Sequence, residues 1–365
     1  MKCYFTVTND LNYDQRMIRI CSSVSKLGHD VTLVGKLNSD SKPLKKQIFH
    51  QHRIKCFFEK GKLFYIEYNI RLFFFLAARS LDVLTNIDLD TTLTGVLLKR
   101  IKKFKFVYDA HELFPHVPEV ISRPKVQKFW SWVESKTFSS IDAFITVSDS
   151  IAEYYKNKFP LPGNVFVIRN VPLNKVNSEI SENEFHINEP FILYQGALNE
   201  GRGLERLIQV LSDLPYKLVI IGRGDIEDEL KRMVEKFNMS ERVIFLGFVL
   251  PENLLGYTNK AKIGYNVSEN LGLSYFYSLN NKFFDYVQAG LPSIINRFPE
   301  YEKLVKEFEV GTIVTPNNTE IRDAIVKLME DSEYYEYCKA QCKDASVIWN
   351  WEIEESKLKS IYSNV

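Results

Sequence analysis

The chain has 365 residues, 45% hydrophobic and 25% charged, with a formal net charge of +1. That balance excludes a disordered or low-complexity chain and leaves room for two globular domains. The longest uncharged apolar run, Leu72–Ala78, is far too short for a membrane span, and Met1-Lys2 leads into CYFTVTND rather than a long apolar leader core.

The even total conceals an asymmetry. Residues 1–175 carry 27 Lys and Arg against 16 Asp and Glu, and the remainder carries 20 against 30. A basic half joined to an acidic half predicts two units with different surfaces, the first suited to phosphate groups, anionic lipid or nucleic acid. Five scattered cysteines (Cys3, Cys21, Cys56, Cys338 and Cys342) fit neither a disulfide framework nor a structural zinc, and point to a reducing cytosol. The expected location is cytoplasmic, with peripheral attachment at the inner membrane face.

In chain order, KCYFTVT (2–8) reads as a buried strand. Asp14–Leu27 reads as a helix, with Met17, Cys21, Val24 and Leu27 at helical spacing and Gly28 as its stop. DVTLVG (30–35) reads as the next strand. This is a βαβ unit, the building block of parallel sheets covered by helices. Strand signals recur at LDVLTNI (81–87), KFVYDA (105–110), AFITVS (143–148) and NVFVIRN (164–170), with a helix expected over Thr92–Lys102. Residues 172–190 are rich in Asn, Ser and Glu and read as a linker. A second alternating series follows, with strands at FILYQG (191–196), KLVIIG (217–222), VIFLG (243–247), KIGYNV (262–267), PSIIN (292–296) and VGTIV (310–314). The expected fold class is α/β, with two Rossmann-like domains at 1–175 and 185–345. Ligands of such sheets lie beyond the carboxyl ends of the strands.

Two helix starts in the second domain carry the strongest chemical signal. GALNEGRGLERLI (196–208) places Arg202 just before a helix, and SLNNKFFDYVQAGLPSII (278–295) places Lys282 in a first turn, with Asn280 or Asn281 as cap and Gly290 as stop. A cation at a helix N-terminus opposes the macrodipole. Two such cations make sense if an anion lies between them, held also by the amides around Gly201 and Asn281. The alternative is a pair of solvated surface cations. Asp285, one turn beyond Lys282, suits two ribose hydroxyls, or else an ion pair with Lys282. Gly222 and Arg223 form a G-x-G turn after a strand, without the full dinucleotide fingerprint, and Phe248 follows a similar glycine turn that can border a base.

In the first domain, YDAHELFP (108–115) puts His111 at a strand end, either as a functional group or as a satisfied structural histidine. Asp88-Leu89-Asp90 has a D-x-D form, but two carboxylates are weak evidence for a metal, and they read as turn and helix-cap residues. Residues 54–79 and KRIKKFK (99–105) mix aromatics with cations. The Phe73–Phe75 run is expected in the core, and part of the surrounding charge on an anionic membrane surface. No nucleic-acid module is present, and no metal or cofactor is expected.

YDAHELFP, VIRNVP, YQGALNEGRGLERLI, LVIIGRGDIEDEL, VIFLGF and NKFFDYVQAGLPSII, in that order, resemble the retaining glycosyltransferases of family 4, which have the GT-B fold. DQRMIR (14–19) resembles that family's first-helix motif. NWEIEESKLKSIY (350–362) resembles its closing helix, with Trp351 as the characteristic tryptophan, so residues 346–365 are expected to return to the first domain. The resemblance implies two domains facing a cleft, a nucleoside diphosphate sugar donor held mainly by the second domain, and a glycan or lipid-linked glycan acceptor held mainly by the first. Surface polysaccharide synthesis is the implied setting. It also implies that His111 borders the donor sugar, that Arg202 and Lys282 hold the diphosphate with Asn281 beside them, and that Asp285 holds the ribose. Two positions depart from the family pattern: Ala197 stands where it has an arginine, and Tyr277 where it has the first acid of its E-x7-E motif, the nearest upstream acid being Glu269. A sugar-nucleotide epimerase of the same architecture, or a non-catalytic glycan- or protein-binding scaffold, remains open.

Overall fold

The computed structural model describes residues 1–161, 163, 165–174, 187 and 189–364. The expected linker falls largely on 175–186 and 188, which lie outside the described residues, as does Asn164 at the start of one expected strand. The chain divides into two compact units. The first comprises Met1–Asn170, Gly272–Ser274 and Ile353–Val365; the second comprises Val171–Leu271 and Tyr275–Glu352.

The first unit holds seven parallel strands: β1 (Lys2–Thr6), β2 (Asp30–Leu37), β3 (His50–Lys55), β4 (Val83–Ile87), β5 (Lys105–Ala110), β6 (Ala143–Thr146) and β7 (Val165–Val167). Their order is β3-β2-β1-β4-β5-β6-β7. The inner strands are apolar on both faces because helices cover both faces of the sheet, and β4 is buried along its whole length. The helix Gln15–Lys26 starts where the Asp14 carboxylate accepts the Met17 amide at 3.0 Å, and it buries Met17, Ile20, Cys21 and Val24 as the spacing predicts. The last helix, Trp351–Asn364, lies mostly in this unit. Its Tyr362 ring packs on Phe5, and the Tyr362 hydroxyl shares a 2.8 Å hydrogen bond with Thr85.

Three expectations need correction here. The helix expected over Thr92–Lys102 runs over Leu89–Leu98. Threonine is a weak helix former, but Thr91, Thr92 and Thr94 are buried here, and packing outweighs propensity. Asp88 occupies the position before it but makes no side-chain capping bond. The Phe73–Phe75 run belongs to a helix, Gly61–Ala77, in which Leu72 and Leu76 face the core while Phe74 is 67% exposed. A helix buries one stripe only, and three consecutive residues cannot all lie on it.

The second unit holds six parallel strands: β8 (Phe191–Gln195), β9 (Lys217–Ile221), β10 (Val243–Gly247), β11 (Ile263–Asn266), β12 (Ser293–Asn296) and β13 (Gly311–Val314). Their order is β10-β9-β8-β11-β12-β13. The chain winds outward one way from β8 and the other way from β11, so the strand order reverses between them. A crevice opens at such a point because the connections leaving the two strands diverge to opposite faces. The helices Leu204–Leu211 and Asn318–Glu330 pack their apolar stripes with β8, β9 and β11 into one core that includes Ile192, Leu207, Leu218 and Ile325.

Candidate functional site

In the second unit the connections that leave β8 and β11 carry Arg202 and Lys282. The first loop reaches the helix Leu204–Leu211 through Gly201 (φ +80°) and Gly203 (φ +71°). A side chain at 201 would bring its Cβ within 2.5 Å of Leu271 Cδ1 and 2.9 Å of Tyr275 Cε2, so only glycine fits that turn. The Arg202 guanidinium lies over the Tyr275 ring, and its Nη1 donates to Asn280 Oδ1 at 3.2 Å.

Asn280 precedes the helix Asn281–Gln288 but does not cap it through its side chain. Its amide donates instead to Asn266 Oδ1 at the end of β11, at 3.3 Å, while its carbonyl oxygen receives Arg202. The capping role expected of Asn280 is therefore replaced by a bridge between the two loops, and Asn281 itself is exposed.

Lys282 is only 7% exposed. Its Nζ has no hydrogen-bond partner and sits 3.9 Å above the Tyr194 ring of β8. Burial, and after it the Arg202 charge, hold this ammonium well below the usual lysine range. Arg202 Nε and Asn266 Nδ2 are likewise buried donors without partners. The reading of solvated surface cations does not fit Lys282, and an ion pair with Asp285 does not form. Asp285 accepts Gln195 Nε2 at 3.2 Å, and Gln195 in turn accepts the Thr258 hydroxyl at 2.9 Å.

The three glycines that end β8, β9 and β10 come together. Gly196 donates to the Ile221 carbonyl and Gly222 to the Gly247 carbonyl, and a Cβ on Gly222 would strike the Gly196 carbonyl oxygen. This close approach explains the G-x-G turn without a dinucleotide. Arg223 lines a separate open cavity of about 560 Å³ with Asp225 and Gly247, which does not include Arg202 or Lys282. Phe248, just after β10, is exposed.

The two departures from the family pattern also have definite surroundings. The Ala197 carbonyl accepts the Tyr194 hydroxyl at 2.6 Å. Glu269, the nearest acid upstream of Tyr277, is paired with Arg206 Nε at 2.7 Å.

In the first unit His111 belongs to a charge network that sequence spacing did not reveal. Arg16, on the first helix, donates Nε to His111 Nε2 at 2.8 Å, Nη2 to Asp109 at 3.2 Å and Nη1 to the Ile168 carbonyl at 3.0 Å. Asp88 accepts the His111 backbone amide at 2.9 Å and lies 3.7 Å from Nδ1. His111 Nε2 also lies 3.4 Å from Asp109 Oδ2, so both ring nitrogens face carboxylates. Burial lowers the His111 pKa, but Asp88 and then Asp109 outweigh it and raise it. Against its own burial, Asp109 is held at about 2 by Arg16 and then His111. Burial, with Asp88 second, pushes Asp90 up to about 7 and Glu112 up to about 8. Asp90 accepts the Thr8 hydroxyl at 2.6 Å, so the D-x-D carboxylates have protein partners. Among the described residues no three His, Cys, Asp or Glu side chains are grouped to hold a metal ion. All five cysteines are free. Among the described residues no helix is long and apolar enough to cross a membrane.

This architecture recurs among known proteins. Sucrose-phosphate synthase of Thermosynechococcus elongatus superposes with a TM-score of 0.83 at 17% identity, covering 100% of this chain and 98% of that one. HepE of Anabaena, solved with UDP-glucose, superposes with a TM-score of 0.78 at 14% identity over 100% of both chains. The fold is GT-B, two parallel-sheet α/β domains with a helix at the C-terminus. Residues 15–171 match the family described as Glycosyltransferase Family 4, and residues 176–344 match Glycosyl transferases group 1. An uncharacterized glycosyltransferase of Methanocaldococcus jannaschii is 23% identical over 93% of this chain and 88% of its own length. The chain belongs to the group 1 glycosyltransferases and is an enzyme of that class.

Proposed function

We propose that this glycosyltransferase moves a sugar from a nucleoside diphosphate sugar to a glycan or lipid-linked glycan acceptor, with retention of configuration, in the assembly of a surface polysaccharide. The observation that carries the donor assignment is the buried, unpartnered Lys282 ammonium beside Arg202, at the point where the strand order of the second sheet reverses. A buried cation without a partner is costly unless an anion completes the site. A departing nucleoside diphosphate gains negative charge as the glycosidic bond breaks, and fixed cations aimed at it lower the barrier. In this reading Asp285 receives the ribose hydroxyls, Gly201 and Asn281 lend backbone amides, and Gly222, Arg223 and Phe248 flank the base. His111 borders the donor sugar, and the basic first unit rests on an anionic membrane surface.

The test is calorimetric titration with UDP, the nucleotide bound by the HepE neighbour. Arg202→Ala and Lys282→Ala should each weaken binding at least tenfold, and unchanged affinity in both would remove the phosphate assignment. Asp285→Ala should weaken UDP binding more than inorganic diphosphate binding. Equal losses for the two ligands would remove the ribose role. Sedimentation with phosphatidylglycerol vesicles at low salt checks the membrane contact, which predicts depletion of the supernatant.

A further inference from the structure

The first unit contains a groove of about 970 Å³ that the donor chemistry does not use. It runs between three helices, Gly61–Ala77, Leu89–Leu98 and Pro124–Phe138. Its walls are apolar stripes at helical spacing: Ile66, Ile70 and Phe74 from the first, Leu93 and Leu97 from the second, and Phe129 from the third. Ile70 is 53% exposed and Leu97 40%, so the stripes are unpartnered in the isolated chain. An apolar surface of this extent marks a binding site.

Two polar side chains in the walls, Asn69 and Thr94, are already paired within the protein. Asn69 donates to the Asp90 carbonyl at 2.8 Å, and Thr94 donates to Asn69 Oδ1 at 2.9 Å. An extended peptide laid here would find few partners for its backbone amides and carbonyls, whereas a hydrocarbon chain needs none. Five charged side chains line the groove, and four are cations: Lys62, Arg100, Arg123 and Lys125. The fifth, Asp90, is buried and raised to about 7, so the groove is net positive at neutral pH. The complementary ligand is a chain of methylene or isoprenoid units ending in an anion.

We infer that this groove receives the hydrocarbon chain of a lipid-phosphate acceptor, with the cationic rim holding its phosphate. The inference rests on the lipid-linked acceptor proposed above and names the part of the acceptor that the first unit grips. It also places the chain beside Asp90, two residues from the Asp88 that holds the His111 amide.

The experiment is calorimetric titration with octyl, decyl and dodecyl phosphate below their micelle concentrations, with inorganic phosphate as the chainless control. Each methylene that enters the groove should tighten binding by about fourfold. Ile70→Glu and Leu97→Glu, both at exposed positions, should weaken dodecyl phosphate binding at least tenfold and leave UDP affinity unchanged. Affinity independent of chain length, or variants that bind like the wild type, would overturn the groove assignment. So would loss of phosphatidylglycerol vesicle binding in the variants without any binding of monomeric alkyl phosphate, which would make the face a general membrane contact. A dimer that the variants dissociate, with no alkyl phosphate bound, would make it a self-association surface and equally refute the inference. Chain-length-dependent binding in a protein that fails to bind UDP would support the groove and sink the donor-site reading alone.

Discussion

Replacing Lys282 by methionine keeps the length of the side chain and removes its charge, and two observables should move in opposite directions. Without ligand, the Lys282 ammonium is buried and has no hydrogen-bond partner. A polar group left so costs about 1–3 kcal/mol. The Tyr194 ring, 3.9 Å away, returns part of it, about 0.5–2 kcal/mol for a desolvated cation on an aromatic face. The balance is about 1 kcal/mol in favour of methionine, and it should raise the Tm of a domain of this size by about 2–4 °C. With ligand the sign reverses, because the variant loses a charge-assisted contact to phosphate worth about 1.5–3 kcal/mol, or roughly 10–150-fold in Kd for UDP. Scanning calorimetry of the free protein and titration with UDP give the two numbers. The pH dependence supplies a third. Between the depressed pKa of Lys282 and the unfolded value of 10.5, the unfolded chain binds more protons than the folded one, so the stability of the free protein rises with pH. UDP affinity falls across the same window, because binding favours the charged amine. Both slopes should vanish in Lys282→Met. A variant with a lower Tm and unchanged UDP affinity would refute the claim that this cation is held in place for an anion.

The remaining predictions concern groups with equally definite surroundings. Arg16→Ala leaves the buried Asp109 carboxylate without its main partner and should destabilise the protein by about 3–5 kcal/mol in urea denaturation. In the wild type Asp109, held at about 2, contributes stability above about pH 4 that is lost as pH falls toward 2, and Arg16→Ala should flatten that acid limb. Asp90 behaves in the opposite sense: its folded pKa of about 7 lies above the ordinary 3.8, so its contribution is full below about pH 4 and declines as pH rises through 7. Asp90→Asn should therefore be more stable than the wild type at pH 8, and parallel urea profiles from pH 4 to 8 would contradict this. Gly201→Ala forces φ +80° on a residue with a Cβ that meets Leu271, and should cost about 1–3 kcal/mol in stability while weakening UDP binding. An unchanged Tm and Kd would show that the loop can relax.

The sheets were legible in the sequence because strands buried on both faces are written as short apolar runs. FILYQ and KLVII each lie between a proline and a glycine, and VLTNI is buried along its whole length. Strand β3 escaped notice because HQHRIK lies at the sheet edge, where only Ile54 is buried. The helix Gly61–Ala77 was hidden by the opposite problem: its apolar residues cover more than one face, so no single periodic stripe stands out, and the exposed ones line the groove. For the site, the strand–loop–helix grammar located Arg202 and Lys282, but spacing carries no information about burial. The side chain of Asn280 could be assigned to a cap from sequence, and its actual partners, 78 and 14 residues away, could not. Arg16 was missed for the same reason, since its three partners lie 93 to 152 residues distant. A signal was nonetheless present: Arg16 lies directly before Met17, whose side chain sits on the apolar stripe of that helix.

The two units solve the same electrostatic problem in opposite ways, and the difference bears on what each can bind. In the first, the charged groups compensate one another. Arg16 answers Asp109, the His111 ring accepts from Arg16, and Asp88 takes the His111 amide. Such a network meets its charges without a ligand. In the second, Lys282 and Arg202 carry the same sign, and the buried donors Lys282 Nζ, Arg202 Nε and Asn266 Nδ2 have no partner among the described residues. These unanswered donors, two of them on like-charged side chains, are the feature on which the proposed anion site rests. The asymmetry thus follows from which residues leave the strand ends rather than from the fold, since both sheets are parallel and doubly covered.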